Sequence, residues 1–88
     1  MKIIGMNRVS KGKIIATADV QLSDDITINQ FKIQRDQDGS LFVTEPVLHW
    51  VENRQHFFTK AVGLSNDLLG RINHKIIEYY ETLEGMKL

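Results

Sequence analysis

The side chains in this sequence that are best placed to do chemistry are cations that could bind phosphate groups. Arg71 and Lys75 lie four residues apart in a segment with helical periodicity, so both would project from one face of a helix. Arg54 and Lys60 flank a segment rich in aromatic residues. We predict that these four side chains contact the backbone of DNA or RNA. The same charges would also suit an ordinary solvated surface.

The aromatic segment between residues 47 and 59 has more than one interpretation. Trp50, His56 or Phe57 could stack on nucleic-acid bases if their rings are exposed. An apolar patch that includes His49, Trp50 and Phe57 could instead mark an interface with another protein chain. The rings could also pack over the protein's own sheet.

Other polar clusters in the sequence fit structural roles better than catalysis. Asp24 and Asp25 are typical turn residues. Residues 36–39 begin like a calcium-binding loop, but no glutamate stands at the twelfth position. The three histidines, His49, His56 and His74, are too scattered for a helical metal-binding pair. We therefore expect no enzymatic activity, no metal, no cofactor and no small-molecule substrate.

Length and composition indicate one small globular domain spanning residues 1–88. A chain of 88 residues with 42% hydrophobic residues has a thin core, which favours assembly with a second copy of the chain. The sequence contains no cysteine, which excludes disulfides and thiolate sites and fits a cytoplasmic location. No stretch approaches the roughly 20 apolar residues of a transmembrane helix, so no membrane association is expected.

The zero net charge conceals local segments of one sign. Residues 1–13 carry four cations and no acid, whereas residues 14–30 carry three acids and no cation. Lys11 and Lys13, in the first segment, could add phosphate contacts. A folded domain could therefore keep one basic face despite its neutral total.

The first half of the chain predicts an antiparallel meander of strands. Residues 13–22 alternate, with Ala16 and Ala18 on an inner face where small side chains leave room for a larger element. Pro46 should end the fourth strand or place it at an edge. Strands are predicted at residues 2–9, 13–22, 26–34 and 41–44. Turns are predicted at residues 10–12, 23–25 and 36–39.

The third strand has a change of phase. Ile26 and Ile28 share one parity, and Phe31 and Ile33 share the other. A bulge near residues 29–30 would let both pairs face the core.

The remaining chain predicts a loop, a short fifth strand near residues 57–62, and a helix. Ser65 or Asn66 could cap the helix, Asp67 suits its first turn, and Gly85 suits its end. The predicted core-facing positions are Leu68, Leu69, Ile72, Ile76, Tyr79, Tyr80 and Leu83. The fold class is thus α+β: an antiparallel meander of four to five strands followed by a C-terminal amphipathic helix that covers the sheet.

Several segments occur in a characteristic order: residues 15–33, residues 38–43 followed by Pro46, residues 65–66, residues 70–72, and Tyr80. Taken together, this ordered series resembles the SpoVG family (stage V sporulation protein G) of bacterial septation regulators. The resemblance spans roughly residues 2–84.

The resemblance implies a SpoVG-like fold, a homodimer formed partly by strand exchange or pairing, and DNA and RNA binding. It also implies a role in gene regulation, cell division or sporulation. Arg71 stands where the family has a lysine after the helix glycine. Residues 47–50 replace a basic Ser-Lys-Arg-Thr run, and residues 57–59 replace Phe-Arg-Asp. The alternative is therefore a dimeric protein-interaction module that has lost nucleic-acid binding.

Overall fold

The computed structural model describes residues 1–85 and confirms the α+β class. Four antiparallel strands form a meander in the order β1-β2-β3-β4, and a separate two-stranded hairpin, β5–β6, precedes a single helix. The elements are β1 (Lys2–Lys11), β2 (Ile14–Ser23), β3 (Ile26–Arg35), β4 (Leu41–Thr44), β5 (Val47–Glu52), β6 (Gln55–Lys60) and α1 (Asn66–Gly85).

The core lies between the central strands and the helix. Ala16 and Ala18 of β2 are buried and belong to the same apolar cluster as the buried residues of α1. Phe31 in β3 and Ile72 and Ile76 in α1 are also fully buried and complete this cluster. The inward-facing residues of the strands therefore pack against the apolar face of the helix and form one apolar layer.

The predicted bulge in β3 is present. Val20 pairs with Ile28 and Ala18 pairs with Phe31, so β3 has one more residue than β2 in this interval. Gln30 takes up the extra residue with a positive φ of 71°, which is uncommon for a residue other than glycine. Its N–H donates to Asp19 Oδ1 at 3.1 Å, which holds the bulge in place.

Ile26 is not buried in the core, contrary to the sequence-based expectation. Its side chain is about half exposed, and it is not part of the core cluster. A second register shift lies here, between the Gln21–Thr27 and Ser23–Ile26 pairs, but its extra residue is in β2, so Ile26 keeps the parity of Ile28. Ile26 is the first residue of β3 and lies beside the turn at the end of the sheet.

All three predicted turns are present, but the first lies at residues 12–13 rather than 10–12, and the second at 24–25. Gly12 and Gly39 have φ values of 63° and 89°, where glycine has no steric penalty. The third turn is closed by a hydrogen bond from Gly39 N to Asp36 O at 3.0 Å. Strand β4 ends at Thr44, two residues before Pro46, and forms one edge of the four-stranded sheet.

Residues 47–60 form a hairpin rather than the predicted loop and single strand at 57–62. The two strands are joined by Asn53 and Arg54, which have φ values of 49° and 67°. Two successive positive φ angles define the type I′ turn that matches the twist of a hairpin. The usual Asn-Gly sequence is missing because arginine occupies the second position, so the local sequence does not indicate this turn.

The helix follows the sequence-based prediction at its start. Ser65 is the N-cap: its Oγ accepts a hydrogen bond from Leu68 N at 3.2 Å. Leu68 and Tyr80 pack against the core as expected. Gly85 is the last described residue of α1, so its predicted role as a helix stop concerns residues outside the described part.

Tyr79 is more exposed than its position on the apolar stripe predicted. It lies beside Lys2 and Ile3 on β1, which is an edge strand. No further strand within residues 1–85 covers the ring on that side, and 40% of Tyr79 is exposed.

Candidate functional site

The β5–β6 hairpin presents apolar side chains on both of its faces. Strand pairing places His49 opposite Phe58, Val51 opposite His56 and Trp50 opposite Phe57. Because neighbouring residues in a strand point to opposite faces, His49 cannot share a face with Trp50. We call the face with His49, Val51, His56 and Phe58 the histidine face, and the face with Leu48, Trp50 and Phe57 the tryptophan face.

The tryptophan face carries a stacked aromatic pair. The ring centroids of Trp50 and Phe57 are 5.6 Å apart with planes at 17°. Phe57 is half-buried, whereas Trp50 and Leu48 are exposed. This is a cross-strand aromatic contact that stabilises the hairpin, and it leaves part of the apolar surface exposed.

The histidine face joins two imidazoles and a phenyl ring. The His49 ring lies 4.6 Å from that of Phe58, with planes at 15°. His49 Nε2 and His56 Nδ1 are 2.9 Å apart and share a hydrogen bond. The two residues are seven positions apart in sequence and do not form a helical pair. The hairpin turn brings them together, which their spacing did not indicate.

The hairpin is tied to the domain mainly at its base. Ala61 N donates to Pro46 O at 3.0 Å. Lys60 Nζ lies 3.2 Å from Glu45 Oε1. An isolated two-stranded hairpin is only marginally stable in water, and exposed apolar patches of this kind typically mark interaction sites. The three predicted interface residues, His49, Trp50 and Phe57, thus all lie on the hairpin, although on two faces.

Arg71 and Lys75 lie side by side on the solvent face of α1. Both are exposed and line an open concavity of about 590 Å³, which the carboxylates of Asp67 and Glu78 also border. Lys75 also borders Lys2 of β1. Within residues 1–85 neither Arg71 nor Lys75 forms an ion pair, so both charges are available to a phosphate.

Arg54 and Lys60 do not lie together. Arg54 is in the hairpin turn, and Lys60 is at the hairpin base, where it pairs with Glu45. Six residues of extended chain place them roughly 20 Å apart. Arg71 and Lys75 are therefore neighbours on α1, whereas the other two predicted phosphate ligands, Arg54 and Lys60, lie at opposite ends of the hairpin.

A groove beside the hairpin base carries two polar atoms that the sequence did not indicate. It has a volume of about 280 Å³ and lies between β4, the hairpin and α1. Glu45 Oε2 and Asn73 Oδ1 line it, are buried, and have no hydrogen-bond donor within residues 1–85. Buried acceptors of this kind usually bind ordered water.

The acidic turn residues act on the backbone. Ser40 N donates to Asp38 Oδ1 at 2.9 Å, and this hydrogen bond holds the pKa of Asp38 below its ordinary value. Within the described residues, no group of three or more histidine, aspartate or glutamate side chains could hold a metal ion.

The chain was compared with models of known protein families, with curated proteins and with solved structures, and no match was found in any of the three. Within residues 1–85, no helix is both long and apolar enough to cross a membrane.

Proposed function

We propose that this chain is a homodimeric regulatory protein that binds DNA or RNA through the exposed face of α1. The observation that carries the proposal is the pair Arg71 and Lys75, which are exposed, adjacent and without an ion-pair partner in residues 1–85. The resemblance to SpoVG supports the same function. Septation or gene regulation in the cytoplasm is the biological role that this resemblance suggests.

The charges on α1 define the mode of binding. Cations one helical turn apart can follow successive phosphates, but they carry no direct information on base sequence. Lys2 of β1 lines a groove with Lys75 and Glu78, so a third cation lies near this face together with a carboxylate. Arg54, at the hairpin turn, could make a further phosphate contact, whereas Lys60 would first have to leave Glu45.

Salt-titrated binding to duplex DNA and to RNA tests the proposal. Each phosphate neutralised on duplex DNA adds about 0.9 to the slope of log affinity against log salt. Replacing Arg71 and Lys75 by alanine should lower the slope by up to about 1.8 per protomer. Lys32→Ala with Arg35→Ala removes the same charge from β3 and should leave the slope nearly unchanged.

Two results would contradict nucleic-acid binding by this face. One is the absence of measurable affinity at low salt for either DNA or RNA. The other is a slope that the Arg71 and Lys75 substitutions do not change, or that the β3 control lowers equally.

The hairpin favours a second candidate function, a dimeric protein-interaction module without nucleic-acid binding. Trp50 and Phe58 expose apolar surface on opposite faces of β5–β6, and a second copy of the chain could cover it. Sedimentation equilibrium of the full chain should give a dimer for either function. A dimer without affinity for DNA or RNA would favour this second function, and a stable monomer at micromolar concentration would contradict both.

A further inference from the structure

The histidine face brings two imidazole nitrogens into direct opposition. His49 Nε2 and His56 Nδ1 are 2.9 Å apart. The ring centroids are 5.1 Å apart and the planes differ by 4°. Since the centroid distance exceeds the nitrogen distance by about two ring radii, the rings lie edge to edge in nearly one plane rather than face to face. Each ring therefore points one nitrogen at the other.

The proton in this hydrogen bond can move, because either nitrogen of a neutral imidazole can carry it. A neutral imidazole carries one N–H and one lone pair. In the hydrogen-bonded pair, one inner nitrogen donates and the other accepts. If the donor ring moves its proton to its outer nitrogen, both inner nitrogens present lone pairs to the space between the rings. The pair then loses no proton overall, and a cation must take the place of the bridging hydrogen.

The distance between the two nitrogens suits a transition-metal ion. Imidazole nitrogen binds Zn²⁺ at about 2.0–2.1 Å. Two such ligands at a right angle would be about 2.9 Å apart, and in a tetrahedral arrangement about 3.3 Å apart. The nitrogen separation in the hairpin therefore fits such an ion to within a few tenths of an ångström. The direction of the lone pairs does not yet fit, because each points at the other nitrogen, and each ring must turn by about 35–45° to point at a shared ion. Both side chains are exposed, which allows this turn, and Phe58 stays stacked beside His49.

We propose that His49 Nε2 and His56 Nδ1 form a two-histidine site for a divalent first-row transition metal such as Zn²⁺ or Ni²⁺. Water fills the other coordination positions, because no third metal-binding side chain joins the pair within residues 1–85. Imidazole favours these metals, whereas Mg²⁺ and Ca²⁺ prefer oxygen ligands. The site does not depend on the function of the α1 surface.

Isothermal titration of the full chain with NiCl₂, and separately with ZnCl₂, at neutral pH tests the site. The unmodified chain should bind one ion per chain at micromolar metal, and MgCl₂ should give no binding. His49→Gln and His56→Gln should each abolish the saturable binding. His74→Gln is the matched control, since His74 lies on α1 and pairs with Glu78 at 3.3 Å, and it should bind metal as the unmodified chain does.

A second readout identifies the ligand atoms. In ¹⁵N NMR spectra of the imidazoles, sub-stoichiometric Zn²⁺ should shift His49 Nε2 and His56 Nδ1 and leave His74 unchanged. Three results would overturn the proposal: binding only at millimolar metal, binding that persists in His49→Gln, or binding that His74→Gln removes. Far-ultraviolet circular dichroism of each variant checks that its fold is intact.

Discussion

Replacement of Trp50 by alanine should break the dimer without unfolding the protomer. Trp50 is outside the hydrophobic core of the domain, and 42% of it is exposed in a single chain. A buried tryptophan removes on the order of 150–250 Å² from water, so about 60–100 Å² of this residue is available to a partner. At about 25 cal/mol per Å², that surface contributes about 2 kcal/mol per protomer.

The symmetry of a dimer doubles this effect. A twofold interface contains each residue twice, so Trp50→Ala should cost about 4 kcal/mol per dimer. This corresponds to a rise of roughly a thousandfold in the dimer dissociation constant. A dimer with submicromolar affinity would then be monomeric at the concentrations used in sedimentation experiments.

Sedimentation velocity over a concentration series measures the dissociation constant. Tyr79→Ala is the matched control, because Tyr79 is an aromatic residue that is 40% exposed and lies on α1 rather than on the hairpin. It should leave the dissociation constant within a few-fold of that of the unmodified chain. The reasoning is refuted if Trp50→Ala leaves the dimer intact, or if Tyr79→Ala weakens it as much.

Three further predictions concern the protomer. Ile76→Ala should lower the free energy of unfolding by about 2–5 kcal/mol, because Ile76 is fully buried; a loss below about 1 kcal/mol in urea denaturation would contradict its place in the core. Gln30→Gly should raise that free energy by about 1 kcal/mol by relieving the positive φ, and a drop in the urea midpoint would refute this. Because the pKa of Asp38 is lowered from 3.8, its carboxylate stabilises the fold above that pH and less as the pH falls through the folded-state pKa. Asp38→Asn should thus be less stable than the unmodified chain at pH 7, and the difference should shrink as the pH falls below 3.8; a difference that does not change with pH would contradict it.

Much of the main sheet and helix could be predicted because their signals are local. The alternation through Ala16 and Ala18, the glycine turns and the Ser65 cap each depend on a few neighbouring residues. Even the bulge at Gln30 could be predicted, since the apolar parity changes there and only one inserted residue restores it. The exposure of Ile26 could not be predicted from parity, because parity does not show that the first residue of β3 lies at the end of the sheet.

The hairpin could not be predicted with the same rules. Its strands are apolar on both faces, so they lack the alternation that identifies a half-buried strand. Its turn at Asn53 and Arg54 lacks the glycine that usually marks a type I′ turn. Local patterns therefore predict a loop followed by one strand where the structure has two paired strands.

Residue types are known before any folding: four cations for phosphate, apolar rings for an interface, and no thiolate. Spacing along one helix also places Arg71 and Lys75 on one face, because 3.6 residues complete a turn. The other spatial relations arise only in the folded chain. The hairpin separates Arg54 from Lys60, puts His49 and Trp50 on opposite faces, and joins His49 to His56. Those relations depend on strand pairing, which links residues that are distant in sequence and which no local pattern records.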